Sequence, residues 1–243
     1  MVHFLNNDII CFPPVEEANE DGLLAFGGNL TTEWLLEAYT HGIFPWFNSD
    51  RSEILWWSPD PRFVLFPHEL KIHRSLKQVM KKKIFTVSFD TAFAQVISEC
   101  SKPRRQAFGT WITTRMKSAY IKLHELGFAH SVEVWHNGQL AGGLYGVSLG
   151  NTFFGESMFT LMDNASKIAL VTLVTVLRRL EFALIDCQVY TDNLKHFGAR
   201  FIPRDEFIRL LTMSPGYTTL CGSWSHLVVD GYDYVQCISE VNA

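Results

Sequence analysis

Three polar side chains lie inside apolar stretches of this sequence, and their types could do acid–base or positioning chemistry. Glu156 interrupts the run from Phe153 to Phe159, and Asp186 and Gln188 lie two residues apart in a second apolar run. A β-strand would point residues i and i+2 to the same face of a sheet. Because burying a carboxylate is costly unless it is paired or hydrogen-bonded, the pattern predicts a functional site. A buried hydrogen-bond network that only holds the sheet together is the alternative.

The elements that would position these residues form a mixed α/β pattern. Strands are predicted at residues 131–135, 140–149, 151–158 and 183–189. Asn137-Gly138 gives the first hairpin turn, and a largely apolar helix at 163–182 joins the last two strands. A three-stranded meander followed by a crossover helix and a parallel strand predicts an α/β (α+β) domain with a mixed sheet. This order resembles the fold of the GCN5-related N-acetyltransferases.

A coenzyme A donor is not predicted, although that acetyltransferase fold uses one. Its glycine-rich turn opens the central helix, where backbone N–H groups hold the pyrophosphate. The corresponding residues here, 159–166, include no glycine, and Asp163 would repel a phosphate. The sequence has no CxxC or Cys/His zinc pattern either. Neither coenzyme A nor a metal is therefore expected as a cofactor.

Composition limits the class of protein. The 243 residues are 47% hydrophobic, which is enough for a substantial core in one large domain or two small ones. A net charge of -4 argues against binding long nucleic acids by bulk charge alone, but a local basic patch is compatible with it. Five cysteines without close spacing predict reduced thiols in a cytoplasmic protein. No signal-peptide pattern and no apolar stretch near ~18 residues is present, so no membrane association is expected.

A change of pattern near residue 62 predicts two domains, a small N-terminal domain at 1–62 and a larger one at 63–243. In the first, Gly27-Gly28 leads into a helix predicted at 32–41, and residues 56–62, with two prolines, are predicted to be irregular. In the second, further strands are predicted at residues 62–65, 84–89 and 200–202. Further helices are predicted at residues 75–83, 91–100, 113–126, 193–197 and 203–211.

Eight sequence blocks, in order and at compatible spacing, resemble the leucyl/phenylalanyl-tRNA–protein transferases over nearly the whole chain. The blocks are Gly22–Leu30, Gly42–Phe47, Trp56–Arg62, Gly109–Ile112, His130–Trp135, Gly142–Val147, Gly155–Phe159 and Ile185–Gln188. The resemblance implies transfer of Leu, Phe or, less well, Met from aminoacyl-tRNA to a protein with N-terminal Arg or Lys. The product then carries a destabilising N-terminus and is degraded. The resemblance also implies an acyltransferase-like C-terminal domain that needs no metal and no coenzyme A.

The resemblance assigns roles to the polar residues in an aminolysis, in which an amine attacks the aminoacyl ester. Gln188 would orient the attacking amine, and Asp186 would act through Gln188 or assist deprotonation. Glu156 would contact the cationic N-terminal residue of the acceptor. Trp46 and Trp111 would stack on the terminal adenine of the tRNA. Core packing is the alternative for both tryptophans.

Two further groups of residues fit the same substrates. An apolar set could form the cavity for the transferred side chain, although a plain hydrophobic core has the same spacing. That set is Leu144, Phe153, Leu170, Leu173, Leu177 and Ile185. A basic run could contact phosphates of the tRNA acceptor stem, with a solvated helix face as the alternative. That run is Arg74, Lys81, Lys82 and Lys83.

Two other functions remain open from the sequence. One is an enzyme of the same fold that uses a different activated acyl donor, and the missing glycine turn argues against coenzyme A as that donor. The other is a noncatalytic adaptor that binds tRNA or peptide. The presence of both Asp186 and Gln188 argues against the adaptor.

Overall fold

The computed structural model describes residues 2–102, 112–212, 218–228 and 232–241. The described strands are β1 (His3–Leu5), β2 (Leu23–Gly27), β3 (Phe44–Pro45), β4 (Leu55–Trp57), β5 (Arg62–Leu65), β6 (Thr86–Phe89), β7 (Ala129–His136), β8 (Gln139–Leu149), β9 (Thr152–Thr160), β10 (Leu184–Gln188) and β11 (Arg200–Ile202). The described helices are α1 (Thr32–Thr40), α2 (Arg74–Lys81), α3 (Phe93–Cys100), α4 (Thr114–Glu125), α5 (Ala165–Arg179), α6 (Asp192–His196), α7 (Arg204–Thr212) and α8 (Gln236–Val241).

The first sheet has four strands in the order β1-β2-β4-β3 and is accompanied by α1. Helix α1 buries Trp34, Leu35, Ala38 and Tyr39, whose spacing places them on one face. Gly28 turns the chain into α1 at φ 70°, and a Cβ there would lie 2.8 Å from the Trp34 ring. A glycine at this position therefore allows the turn and the close packing together.

The prediction that residues 56–62 are irregular is wrong at both ends of the segment, since Trp56 and Trp57 lie in β4 and Arg62 begins β5. Trp56 and Trp57 lie in β4, which pairs with both β2 and β3. Both prolines of the segment follow the strand, so they leave the backbone N–H groups of β4 free to pair. Trp56 is fully buried, and its indole N–H donates to the Gly27 carbonyl.

The second sheet has seven strands in the order β11-β5-β10-β9-β8-β7-β6. Strands β7, β8 and β9 form an antiparallel meander, and α5 crosses over to β10, which pairs in parallel with β9. The predicted mixed α/β class and the predicted order of meander, crossover helix and parallel strand are therefore confirmed. Strand β5 lies antiparallel between β10 and β11, a position that the order of the predicted elements does not reveal.

The parallel pairing of β9 and β10 is short. It joins only Leu184 to Thr152, Ile185 to Phe153 and Asp186 to Phe154. Strand β9 then continues to Thr160, whereas β10 ends at Gln188. The sheet is consequently open beyond the third pair, at the ends of both strands.

The hydrophobic core covers both faces of the second sheet. On one face lies α5, which is buried over most of its length. The other face packs against α3, α4, α7 and the whole first sheet in one continuous cluster.

Helix α5 is shorter at both ends than predicted and begins after Asn164, a left-handed residue at φ 72° without a side-chain capping bond. In the described part of the chain, no helix combines the length and apolar character needed to cross a membrane.

Candidate active site

A cavity of about 290 Å³ opens where β9 and β10 stop pairing. Five of the six residues predicted for an apolar cavity border it: Leu144, Phe153, Leu170, Leu173 and Ile185. Leu177 does not line the cavity, so its predicted place in the wall is wrong. It lies one helical turn beyond Leu173 on α5 and is fully buried in the core instead. Cys187 and Met158 complete this apolar end.

The opposite end of the cavity is polar and lies against the first sheet. Glu156 from β9 and Gln188 from β10 border it together with Phe44, Pro45 and Trp46. The structure therefore brings together two of the three predicted polar residues, one predicted tryptophan and most of the predicted apolar set. An apolar cavity that ends at an amide and a carboxyl group can hold an apolar side chain and present an adjacent reacting group to polar side chains.

Glu156 is buried within a hydrogen-bond network that the sequence did not predict. Its Oε1 accepts from the Tyr39 hydroxyl at 2.7 Å and from Gln188 Nε2 at 2.8 Å, and its Oε2 accepts from the Tyr120 hydroxyl at 2.9 Å. Burial raises the pKa of Glu156 to about 7, against the lowering effect of these three hydrogen bonds, and the negative charge of Asp186 raises it further. The carboxyl group therefore changes charge near neutral pH.

Asp186 lies outside the cavity wall and is occupied by a buried arginine. Arg62 Nε donates to Asp186 Oδ1 at 2.9 Å and Nη2 donates to Oδ2 at 2.7 Å, and both side chains are fully buried. The Arg62 guanidinium lies between the rings of Phe44 and Phe207, at 4.7 and 4.6 Å from their centroids. The paired charges explain how the interior accommodates a carboxylate at this position.

Asp186 connects this ion pair to Gln188 through the backbone. Its Oδ1 also accepts the Gln188 N–H at 2.9 Å, and the strand register shifts between these two residues. Gln188 has φ 61°, a left-handed conformation that is uncommon for a residue other than glycine. The hydrogen bond from the Gln188 N–H to Asp186 thus stabilises the turn that directs the Gln188 side-chain amide toward Glu156.

Trp46 borders the cavity with 39% of its surface exposed. Its ring packs at 5.7 Å from that of Trp57, whose indole N–H donates to the Trp46 carbonyl. Trp46 is therefore a partly exposed ring at the mouth rather than a core residue. Trp111, the second predicted stacking residue, lies outside the described residues.

The four predicted basic residues do not share one environment. Arg74 and Lys81 lie on α2, and Lys82 caps its C-terminus. All three are exposed, while the opposite face of α2 is buried in the core. Lys83 follows at φ 52°, and its ammonium group lies 2.6 Å from Asp233. Lys83 therefore points its charge toward the C-terminal segment.

Helix α2 adjoins α6, whose middle residues border the cavity. His73 Nε2 donates to the His196 carbonyl at 3.0 Å, and the Lys71 N–H donates to the Phe197 carbonyl at 2.9 Å. Lys195 and His196 are exposed on α6. Basic side chains thus continue from α2 to the edge of the cavity, a continuity that sequence distance conceals.

No group of three or more His, Cys, Asp or Glu side chains within the described ranges is arranged to hold a metal ion. Cys187 lines the apolar end of the cavity, and burial raises the pKa of its thiol. A thiol in that state is a poor nucleophile.

The sequence analysis did not predict three residues of this site, namely Arg62, Tyr39 and Tyr120. Only Arg62 lay in a block already singled out, Trp56–Arg62.

The sequence profile described as leucyl/phenylalanyl-tRNA protein transferase matches residues 64–212, and the profile of the N-terminal domain of the same family matches residues 28–60. The leucyl/phenylalanyl-tRNA–protein transferase of Syntrophus aciditrophicus (strain SB) is 57% identical over 218 residues, which cover 89% of this chain and 91% of that protein. The protein of the same name from Stutzerimonas stutzeri (strain A1501) is 55% identical over 88% of this chain and 95% of its own.

Among solved structures, L-PGS from Bacillus licheniformis aligns with 70% of this chain and 56% of its own, at 9% identity and a TM-score of 0.38. That similarity is too low to bear on function. The two profile matches include every residue that lines the cavity, and the two transferases from other bacteria align with 88–89% of this chain. This chain therefore belongs to the leucyl/phenylalanyl-tRNA–protein transferase family.

Proposed function

We propose that this protein transfers Leu or Phe, and less well Met, from aminoacyl-tRNA to the N-terminal Arg or Lys of acceptor proteins. The product carries a destabilising N-terminal residue that directs it to degradation. The observation that carries the proposal is the apolar cavity of about 290 Å³ that ends at Glu156 and Gln188. The aminoacyl side chain occupies the apolar end, which places its ester at the polar end.

Gln188 orients the attacking amine. Its Nε2 donates to Glu156, so the amide oxygen remains to accept an N–H of the amine. Positioning an amine against an already activated ester lowers the barrier chiefly by removing the entropic cost of the encounter. Glu156 is the ionisable carboxyl group on the cavity wall and contacts the cationic acceptor residue.

Asp186 acts through Gln188 rather than by taking a proton from the amine. Both of its oxygens are bound by Arg62, and it does not border the cavity. Its proposed role is to hold the backbone of Gln188 in the left-handed conformation. This role makes Asp186 a positioning residue.

Aminoacyl-tRNA contacts two places on the surface. Trp46, with Trp111, stacks on the terminal adenine, an interaction that suits single-stranded RNA ends. Arg74, Lys81 and Lys82 contact phosphates of the acceptor stem, and Lys195 contacts phosphates between the stem and the terminal adenosine. These local charges offset the net charge of -4.

The proposed location is the cytoplasm, because aminoacyl-tRNA as a substrate and five free thiols both fit a cytoplasmic enzyme.

A direct test mixes the protein with Leu-tRNA and a peptide that begins with Arg, followed by mass analysis of the peptide. The expected result is a mass increase of one leucyl residue. A peptide with an acetylated N-terminus is the matched control, because it offers no amine, and it should stay unchanged. Binding of both substrates without transfer would instead identify the noncatalytic adaptor. Transfer from a different acyl donor alone would identify the third candidate function.

A further inference from the structure

Three oxygen-bearing side chains beside the cavity form a closed triangle of hydrogen bonds. Tyr39 and Tyr120 each contact Glu156, at 2.7 and 2.9 Å, and their hydroxyl groups contact each other at 2.5 Å. Tyr39 belongs to α1 beside the first sheet, Tyr120 to α4 and Glu156 to β9. The triangle therefore ties the two sheets together at the polar end of the cavity.

Counting protons shows that this triangle has two states. Each of its three oxygen–oxygen contacts needs one proton, and each tyrosine hydroxyl supplies one. Burial raises the pKa of both tyrosines well above the ordinary value, so both keep their protons. When Glu156 is ionised, one contact lacks a proton. When Glu156 is protonated, all three contacts are complete, with each of the three side chains donating once around the ring.

The surroundings leave Glu156 as the group that changes charge. Asp186 faces it from β10 and is paired with Arg62 from β5. Tyr145 faces it from β8, and burial raises the pKa of this tyrosine well above its ordinary value as well. The Gln188 amide is neutral, and it donates to Glu156 in addition to the two tyrosines. No cationic side chain among the described residues forms a salt bridge with Glu156.

We propose that Glu156, Tyr39 and Tyr120 form a proton-storing ring, and that the ionised ring accepts the proton of the acceptor's α-ammonium group. The inference rests on the proposed transferase function for the second of these statements only. Glu156 borders the cavity next to Gln188, so an amine held by Gln188 lies beside the ring. Glu156 is the proton acceptor, and the two tyrosines are positioning residues that set how readily it accepts.

The reaction begins with transfer of one proton from the acceptor to Glu156. The acceptor ammonium and the Glu156 carboxylate become a neutral amine and a neutral carboxylic acid. The amine then attacks the aminoacyl carbonyl carbon, the new C–N bond forms, and the C–O bond to the ribose breaks. One of the two protons on nitrogen passes to the ribose oxygen, and the other stays on the new amide. Glu156 later returns its proton to solvent, which restores the ionised ring.

An infrared pH titration of the free enzyme tests the ring without any substrate. The carbonyl stretch of a protonated carboxylic acid should disappear as the pH rises through about 7 in the wild type. It should be absent in Glu156→Gln. In Tyr39→Phe and Tyr120→Phe the midpoint should shift by about one pH unit, because each variant removes contacts from the ring in both protonation states.

Tyr145→Phe is the matched control for the titration. The Tyr145 ring lies 5.6 Å from that of Tyr120, but its hydroxyl has no hydrogen-bond partner among the described residues. Its removal should leave the midpoint where it is in the wild type. A wild-type midpoint near that of an ordinary glutamate, or unshifted midpoints in both tyrosine variants, would overturn the ring. Circular dichroism checks that Tyr39→Phe and Tyr120→Phe fold, and either variant can serve for the test if the other does not.

The pH dependence of kcat/KM for an Arg-starting peptide tests the proton transfer. The acid limb should follow the infrared midpoint, shift with it in the two tyrosine variants and vanish in Glu156→Gln. An acid limb whose pKa differs from the infrared midpoint would show that Glu156 is not the proton acceptor. Complete absence of transfer in the wild type would contradict the proposed function. The infrared titration would still show whether the ring of Glu156, Tyr39 and Tyr120 stores a proton.

Discussion

Arg62 shows how much one residue can determine at this site. Its guanidinium is fully buried between two aromatic rings, and it holds Asp186 through two hydrogen bonds. A buried ion pair adds little net stability, but the loss of one partner leaves the other charge unpaired in the interior. Arg62 and Asp186 together are better explained by the conformation they impose on Gln188 than by their contribution to folding.

Arg62→Met separates these two contributions. Because it leaves Asp186 unpaired, we expect it to lower the free energy of unfolding by ~3–5 kcal/mol in urea denaturation. The double variant Arg62→Met/Asp186→Leu removes the unpaired charge and should recover most of that stability. Its transfer rate should nevertheless stay reduced ~10²-fold, as in Gln188→Ala, because the Gln188 N–H has lost its acceptor. Wild-type turnover in the stable double variant would show that the ion pair does not position Gln188.

The raised pKa of Glu156 makes stability depend on pH. Burial raises this pKa from 4.5 to about 7, so the folded protein keeps a proton that the unfolded chain releases near pH 4.5. The stability contributed by the neutral form is complete below pH 4.5 and is lost as the pH rises to about 7. The free energy of unfolding of the wild type should therefore fall relative to that of Glu156→Gln, by roughly 3 kcal/mol across this range. Urea unfolding of both proteins at several pH values measures the difference, and a constant difference would contradict the prediction.

At the scale of elements, two helices divide the proposed RNA surface. Helix α2 exposes Arg74 and Lys81 and buries its opposite face, and α6 carries Lys195 at the edge of the cavity. The hydrogen bond from His73 to the His196 carbonyl joins the two helices. The distance from the cavity thus increases from α6 to α2, which predicts contacts with successive parts of the acceptor end.

Donors of increasing length test this order. Reversal of Lys81 and Lys82 to Glu should weaken only the use of full tRNA, and the slope of log affinity against log salt should decrease by about 1–2. Lys195→Glu should also weaken a CCA trinucleotide that carries Phe, whereas an adenosine ester of Phe should be insensitive to all three changes. Lys122→Glu is the control, because this exposed lysine on α4 is paired with Glu125. An equal loss of transfer rate with all three donors would show that the basic residues support folding rather than contact RNA.

At the scale of the whole molecule, one hydrophobic cluster joins the first sheet to the second. It includes α1 and Trp56 on one side and α3, α4 and Phe154 on the other. The hydrogen bond between Tyr39 and Glu156 crosses the same boundary. The two predicted domains therefore share a core, and the polar end of the cavity exists only when both sheets are folded.

A shared core predicts a single cooperative unfolding transition. Leu35, fully buried on α1, is the test residue, and Leu35→Ala should lower stability by ~2–5 kcal/mol. Three of the seven tryptophans lie in α1 and the first sheet, and Trp46 directly follows β3. Tryptophan fluorescence should therefore shift in parallel with far-ultraviolet circular dichroism from the whole chain. If the fluorescence transition alone moved to lower urea concentration, the first sheet would unfold as an independent unit.

The sequence by itself determined the local features of this protein. The apolar helix α5, the meander of β7 to β9 and the crossover to β10 follow from hydrophobic periodicity and turn residues, which act within a few positions along the chain. Glu156, Asp186 and Gln188 were identifiable because polar groups inside apolar runs violate that periodicity. Element ends were less accurate, since Asn164 and Lys83 adopt left-handed conformations that their neighbours in sequence do not require.

Only the tertiary structure decided which groups meet. Arg62 reaches Asp186 across 124 positions in the sequence, and Tyr39 reaches Glu156 across 117. The insertion of β5 beside β10 and the docking of α1 against the second sheet create both contacts. Such pairings depend on the packing of whole elements, which no local pattern encodes. The charge state of Glu156 depends on the same packing, because burial and two distant tyrosines set its pKa.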